Sequence, residues 1–373
     1  MMYARIMLLE VAMHQHDKNY DHMEIEIAPI LYSRFIKYEK LDQLIRKNIL
    51  EYKDNELIVF IDMYTMLLPL FRSTYNFRNE LDITSCVINM ALHYRNYFKR
   101  YGKYAHIFII YSPTMGRSNV KYIPSYNFRN INAMLNNKSI YDAVNNNTNL
   151  IGLITPYLND IYFKLGSSEV SVIAFDIISQ LASRGFQKKV VMISASHIAF
   201  QLINVVPDMI FIYKKRNKNN DDLSVVVTPE NAIHLAVMES KNHDISNLGN
   251  LPSTWLSPFF TLCGLPQRSI KMMFRYNKAI EILSKLENAY RIITPESLFS
   301  AISEDESIKK DPRLLEQIMF RYKCLDLVFQ LAEYRMLPES KEKSYMRQVS
   351  DFGQLININN TYFQSNPINL QLL

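Results

Sequence analysis

The residues best placed to do chemistry stand where apolar runs stop. LIVFID, Leu57 to Asp62, is apolar until it ends on a carboxylate, and VVMI, Val190 to Ile193, runs straight into Ser194, Ala195, Ser196, His197 and Ile198. Such β-branched and apolar runs suit central parallel strands, which are covered on both faces. In α/β sheets the chemistry gathers beyond the carboxyl ends of the strands, so Asp62 and the tract from Ser194 to Ile198 occupy catalytic ground. A carboxylate there suits a hard divalent ion, which takes oxygen ligands. His197 suits either a base or ligand, or a structural histidine satisfied inside the fold. The second tract nevertheless contains no acid. Ser194 and Ser196 read instead as N-cap hydroxyls for the apolar helix expected next.

Other chemistries leave little trace. The sequence has no Walker loop, no glycine-rich dinucleotide fingerprint, no H-E-x-x-H zinc helix and no G-x-S-x-G elbow. Its three cysteines, Cys86, Cys263 and Cys324, are odd in number and far apart, which argues against a disulfide framework or a cysteine zinc site and for a reducing compartment. The net charge of +6 is compatible with nucleic acid without demanding it. Lys214, Lys215, Arg216 and Lys218 crowd one turn, where they could meet phosphates or simply be solvated, and Asp221 and Asp222 offset part of their charge. A 48% hydrophobic and 21% charged composition describes a globular chain, and 373 residues can bury a substantial core. No run reaches the roughly 20 apolar residues of a membrane helix, and the N-terminal stretch, interrupted by Glu10, does not read as a signal peptide. The expectation is therefore a cytoplasmic protein or one inside a particle assembled there. Abundant Tyr and Phe beside a single Trp, with Asn and Lys tracts, match AT-rich coding of a viral or similar genome.

The elements that must position these residues follow from periodicity. Residues 1–55 read as a mainly helical extension, with Ile30, Phe35, Leu41, Leu44 and Ile45 on one face. Strands are expected at 57–62, 106–112, 190–193, 209–213 and 223–227, and helices at about 82–101 and 168–183, stopped by Gly102 and Gly185. The polar tract 113–149 reads as loop or irregular helix, and the chain from 228 to about 337 as helical. Alternation of this kind predicts an α/β fold: a central, mostly parallel sheet flanked by helices over 56–227, then a helical region over 228–373.

The order of motifs resembles the flap endonuclease and 5′-3′ exonuclease family, whose core is a PIN-like α/β domain followed by a helix-hairpin-helix-type DNA-binding region. VFIDMYTML places Asp62 where that family has its first metal-binding acid, but IFIIYSPTMG has Ser112 at the second. SSEVSVIAFDIISQLA keeps Glu169 and puts Ser171 and Val172 in the places of two acids. Ser194, Ala195, Ser196, His197 and Ile198, ahead of Gln201 and Leu202, keep the frame of a further motif whose two acids are gone. VVVTPENAIHLAV matches at Thr228, Pro229 and Glu230, and TLCGLPQRSIKMM keeps Gly264 but has Leu265 and Arg268 in acidic positions.

The resemblance implies a nuclease-like fold, and the substitutions imply lost activity. Hydrolysis of this type uses two divalent ions held by a carboxylate cluster, and neutral hydroxyls hold Mg²⁺ poorly. The expected role is a catalytically inactive, nucleic-acid-associated or structural subunit of a larger, viral complex, with no cofactor and no membrane partner. One alternative is a residual nuclease in which Asp176, two helical turns after Glu169, joins Glu169 and Asp62 around Mg²⁺ or Mn²⁺; Asp176 could equally be a salt-bridged helix residue. Another is a pure protein-interaction module. Arg268, Lys271 and Arg275 fall in the segment resembling the DNA-binding motif, and Arg268 could stand in for a missing cation. Tyr122, Tyr126 and Phe128 fall where the family has an arch over the strand, and either stack on bases or pack in a loop.

Overall fold

The computed structural model of the chain describes residues 39–49, 56–63, 65, 80–100, 104–111, 160–165, 168–183, 185, 189–214, 223–238, 251–265, 267, 270–290 and 293–336. Among them, β1 (Glu39–Lys40) leads into α1 (Leu41–Ile49), β2 (Glu56–Asp62), α2 (Glu80–Lys99), β3 (Tyr104–Tyr111), β4 (Ile161–Leu165), α3 (Val170–Ser183) and β5 (Lys189–Ser194). A 3₁₀ helix (Ile198–Asn204), β6 (Ile210–Lys214) and β7 (Leu223–Val227) complete the sheet region. Helices α4 (Ala232–Met238), α5 (Leu256–Cys263), α6 (Tyr276–Ala289), α7 (Pro295–Ser303), α8 (Glu306–Lys310), α9 (Arg313–Leu325) and α10 (Leu327–Met336) follow.

The seven strands lie in the order β1-β7-β6-β5-β2-β3-β4. Strands β6, β5, β2, β3 and β4 pair in parallel, and β7 and β1 close one edge antiparallel. The fold is α/β, as the alternation predicts. Leu57, Val59 and Ile61 face one side of β2 and Ile58 and Phe60 the other, and all are buried, which is why these strands read as unbroken apolar runs. Ile58, Phe60, Phe108, Ile110, Val190, Met192, Phe211, Tyr213 and Val225 share one core with α3 and the C-terminal helices, while α2 packs against β3 from the opposite side. On the shared face the register sets Phe60, Phe108 and Tyr162 side by side, stacked at 5.2 and 4.8 Å between centroids.

From β2 the chain moves outward to β3 and β4, then crosses back to place β5 on the other side of β2. The sheet therefore has a topological switch point between β2 and β5, the crevice where α/β proteins put their chemistry. Asp62 ends one of these strands and Ser194 the other.

Three sequence expectations need correction. β4 was not foreseen, because Lys164 interrupts the apolar run IYFKL and makes it too short to read as a buried strand. The helix expected after Ser196 is a 3₁₀ helix, and its N-cap is His197, which makes no side-chain cap. Ser194 Oγ instead accepts from the Ser196 backbone N–H at 3.1 Å, a local turn rather than a cap. Leu41, Leu44 and Ile45 are buried as expected of their helical face; Ile30, Phe35 and Gly102 lie outside the described residues.

Candidate functional site

The two carboxyl ends at the switch point touch. Ser194 Oγ donates to Asp62 Oδ2 at 3.3 Å, and both residues are buried. Ala195 N–H donates to Thr65 Oγ1 at 3.0 Å, tying the β5 end to the residues after β2. The carboxylate is thus engaged by protein within the fold.

A second network joins the end of β5 to the stretch after α5. Gly264, at φ 75°, stops α5, Leu265 and Ile270 form an antiparallel bridge, and Gln267 between them reaches the end of β5. Gln267 Oε1 accepts from the His197 backbone N–H at 3.0 Å, which can only donate and so sets the amide orientation. Gln267 Nε2 then donates to Ala195 O at 3.3 Å and lies 3.2 Å from His197 Nε2. The Tyr213 hydroxyl sits 3.1 Å from the same ring nitrogen. His197 is thus held at Nε2 between an amide and a phenol, and its ring also packs on Phe200 at 5.2 Å.

Glu169 immediately precedes α3, where its carbonyl accepts from the backbone of Val172 and Ile173, and it is 1% exposed. Ser171 is buried in the same helix. Asp176 is also buried, but its Oδ1 accepts from Arg335 Nε of α10 and its Oδ2 from Gln180 Nε2, both at 2.8 Å. The salt bridge to Arg335 joins α3 to α10. Among the described residues no group of three or more His, Cys, Asp or Glu side chains is arranged to hold a metal ion. Asp62, hydroxyls, an amide and an imidazole lie at the switch point and Glu169 heads the helix beside it, a set with too few carboxylates for a pair of hard divalent ions.

The basic candidates are scattered. Lys214 ends β6 and is buried, on the opposite side of the strand from Tyr213. Lys271 and Arg275 are exposed ahead of α6, and Arg321 Nη1 of α9 donates to the Lys271 carbonyl at 2.7 Å, adding a cation to that surface. Lys215, Arg216, Lys218, Arg268, Ser112, Tyr122, Tyr126 and Phe128 lie outside the described residues.

Sequence reasoning missed Gln267, Tyr213 and Lys164 as site residues. Gln267 was signalled only as a polar residue just after a helix-stop glycine. Lys164, 7% exposed, was signalled by the same interruption that hid its strand.

No family model and no curated protein sequence matches the chain. Among solved structures, a T5 protein co-crystallised with metal ions superposes with a TM-score of 0.47 at 8% identity, covering 74% of this chain and 92% of its own. A mutant T5 5′-exonuclease has a TM-score of 0.42 at 9% identity, with 83% and 98% covered. The catalytic core of Rad2 in complex with DNA substrate has a TM-score of 0.42 at 10% identity, with 93% and 100% covered. No helix among the described residues is long and apolar enough to cross a membrane.

Proposed function

We propose that this chain is a PIN-like, flap-endonuclease-like protein without nuclease activity that associates with nucleic acid as a subunit of a larger, viral assembly. Residues 1–55 read as its extension, whose β1 adds an edge strand to the sheet, 56–227 as the nuclease-like core, and 228–373 as the region resembling the DNA-binding part. The observation that carries the reading is the switch-point crevice, where Asp62 accepts from Ser194 and where Gln267, His197 and Tyr213 are hydrogen-bonded to one another. Two-metal hydrolysis needs open coordination positions and several anionic oxygens, and this crevice offers hydrogen bonds internal to the protein instead. The residual-nuclease alternative relies on Asp176, whose carboxylate is already committed to Arg335. Nucleic acid would be met by Lys271, Arg275 and Arg321, beside the N-terminus of a helix whose first N–H groups have no side-chain cap.

Incubation with flap, single-stranded and duplex DNA in Mg²⁺ or Mn²⁺ should leave every substrate uncut. Cleavage that disappears in Asp62→Asn would overturn the reading. A salt titration should give a negative log–log slope, and a Lys271→Glu/Arg275→Glu variant should flatten it by about one unit per lost phosphate contact. Absence of binding even at low salt would favour a protein-interaction module, and recovery of the chain from its native context would identify the accompanying subunits.

A further inference from the structure

The register of the sheet sets a buried lysine in the same row as Asp62. Asp62 pairs with Ile110 on β3, and Ile110 pairs with Lys164 on β4. Registered neighbours point to one side of a parallel sheet, and Ile110 belongs to the core shared with α3, as does Tyr162 two residues before Lys164. Asp62 and Lys164 thus stand in one row, about 10 Å apart at their Cα atoms given ordinary strand spacing. The long stem of a lysine covers much of that distance. Glu169 follows Lys164 by five residues, at the head of the helix that covers this row.

Charge balance then selects the partners. Asp62, Glu169 and Asp176 are the buried carboxylates among the described residues, and Asp176 is taken by Arg335. Of the buried cations, Arg95 lies on α2 against the opposite side of the sheet, and Lys214 points away from the Tyr213 side. A buried ammonium requires an opposite charge, and so do two buried carboxylates close together. Asp62, Lys164 and Glu169 each have interactions beyond those already described.

We propose, resting on the reading of this crevice as a nuclease-like site without paired metals, that the Lys164 ammonium is its resident cation: it lies between Asp62 and Glu169 and bars a divalent ion from the position. The site has exchanged a dissociable metal for a tethered charge. Removing the lysine leaves two buried carboxylates beside Ser194, a ligand set for one Mn²⁺ or Mg²⁺ ion, too few for a pair.

The test uses the full chain and Mn²⁺ alone. Wild type should show no Mn²⁺ binding by electron paramagnetic resonance and no Mn²⁺-dependent change in Tm. Lys164→Met should melt several degrees lower, bind Mn²⁺, and regain Tm as Mn²⁺ is added, and Lys164→Met/Glu169→Gln should lose that response. Should Lys164→Met fail to fold, the double variant carries the test: with one of the two carboxylates neutralised, Lys164→Met/Glu169→Gln should recover the cooperative transition the single variant lacks, and a double variant that also fails to fold would overturn the lysine's role. A Lys164→Met protein indifferent to Mn²⁺ would also overturn the lysine's role while leaving the catalytically silent reading intact. Wild-type DNA cleavage in Mn²⁺ would instead remove the reading on which it rests.

Discussion

Gln267 illustrates how one neutral side chain can tie irregular backbone together. It satisfies the His197 N–H and the Ala195 carbonyl, two groups of irregular backbone that no strand or helix partner reaches. Gln267→Ala removes both hydrogen bonds and should lower stability by about 2 kcal/mol in a denaturant titration, whereas Gln267→Glu should cost more by setting a carboxylate oxygen against the Ala195 carbonyl. His234 of α4 works through burial alone: desolvation holds its pKa below the ordinary 6.5, and neither ring nitrogen has a hydrogen-bond partner. In the unfolded chain the ring protonates near its ordinary value, so between the two pKa values the unfolded state binds more protons. The contribution to stability is full above about pH 6.5 and is lost as pH falls toward the folded value. Tm measured from about pH 7.5 to about 5.5 should decline less steeply in His234→Leu than in wild type. Cys324 is similarly affected, its thiol pushed up to about 12, chiefly by burial, and Cys263 is pushed up by burial as well. Both should resist alkylation in the native protein and react on unfolding.

At the scale of elements, the apolar contact between sheet and helical region is pinned by short polar clamps. Gln201 of the 3₁₀ helix donates to the Leu325 carbonyl at 2.6 Å and accepts from Leu327 N–H at 3.1 Å, splicing the α9–α10 junction onto the core. Asn204 Nδ2 donates to the Ser253 carbonyl at 2.9 Å beside it. Gln201 was noticed in the sequence as part of a family frame, and its place here is structural. Gln201→Ala should cost roughly 2–4 kcal/mol by stranding two buried backbone groups, with little effect on nucleic-acid affinity. Gly264 is the second such device. Its φ of 75° favours glycine, and an added Cβ would run into the Ile270 carbonyl oxygen and stand 2.7 Å from Lys271 backbone. Gly264→Ala should cost about 2 kcal/mol or more and, by shifting the Leu265–Ile270 bridge, loosen Gln267. Protection of the His197 amide from hydrogen exchange would report that loosening.

Across the whole molecule, the apolar face of the sheet, α3 and helices α4 to α10 form one continuous core, in which Phe259, Leu283, Leu298 and Leu325 are packed with Phe60 and Met192. That continuity predicts a single cooperative unfolding transition, coincident by far-ultraviolet dichroism and by the fluorescence of Trp255, which is buried in the same core. Two separated transitions would show that sheet and helices hold together independently.

The sequence by itself determined the apolar strands, the alternation that makes the sheet parallel, the glycine stops and the scarcity of acids at the strand ends. These are local patterns, legible because burial on two faces and backbone conformation constrain residue type position by position. Tertiary structure alone decided which residues meet. Lys164 reads as a flaw in a strand until register sets it in the row of Asp62, and Gln267 reads as loop polarity until the fold delivers it to His197 from 70 residues away in sequence. Asp176 shares a helix with Glu169, yet its partner is Arg335, 159 residues on. Charge neutralisation and hydrogen-bond satisfaction depend on distance in space, and periodicity along a chain carries no record of that distance.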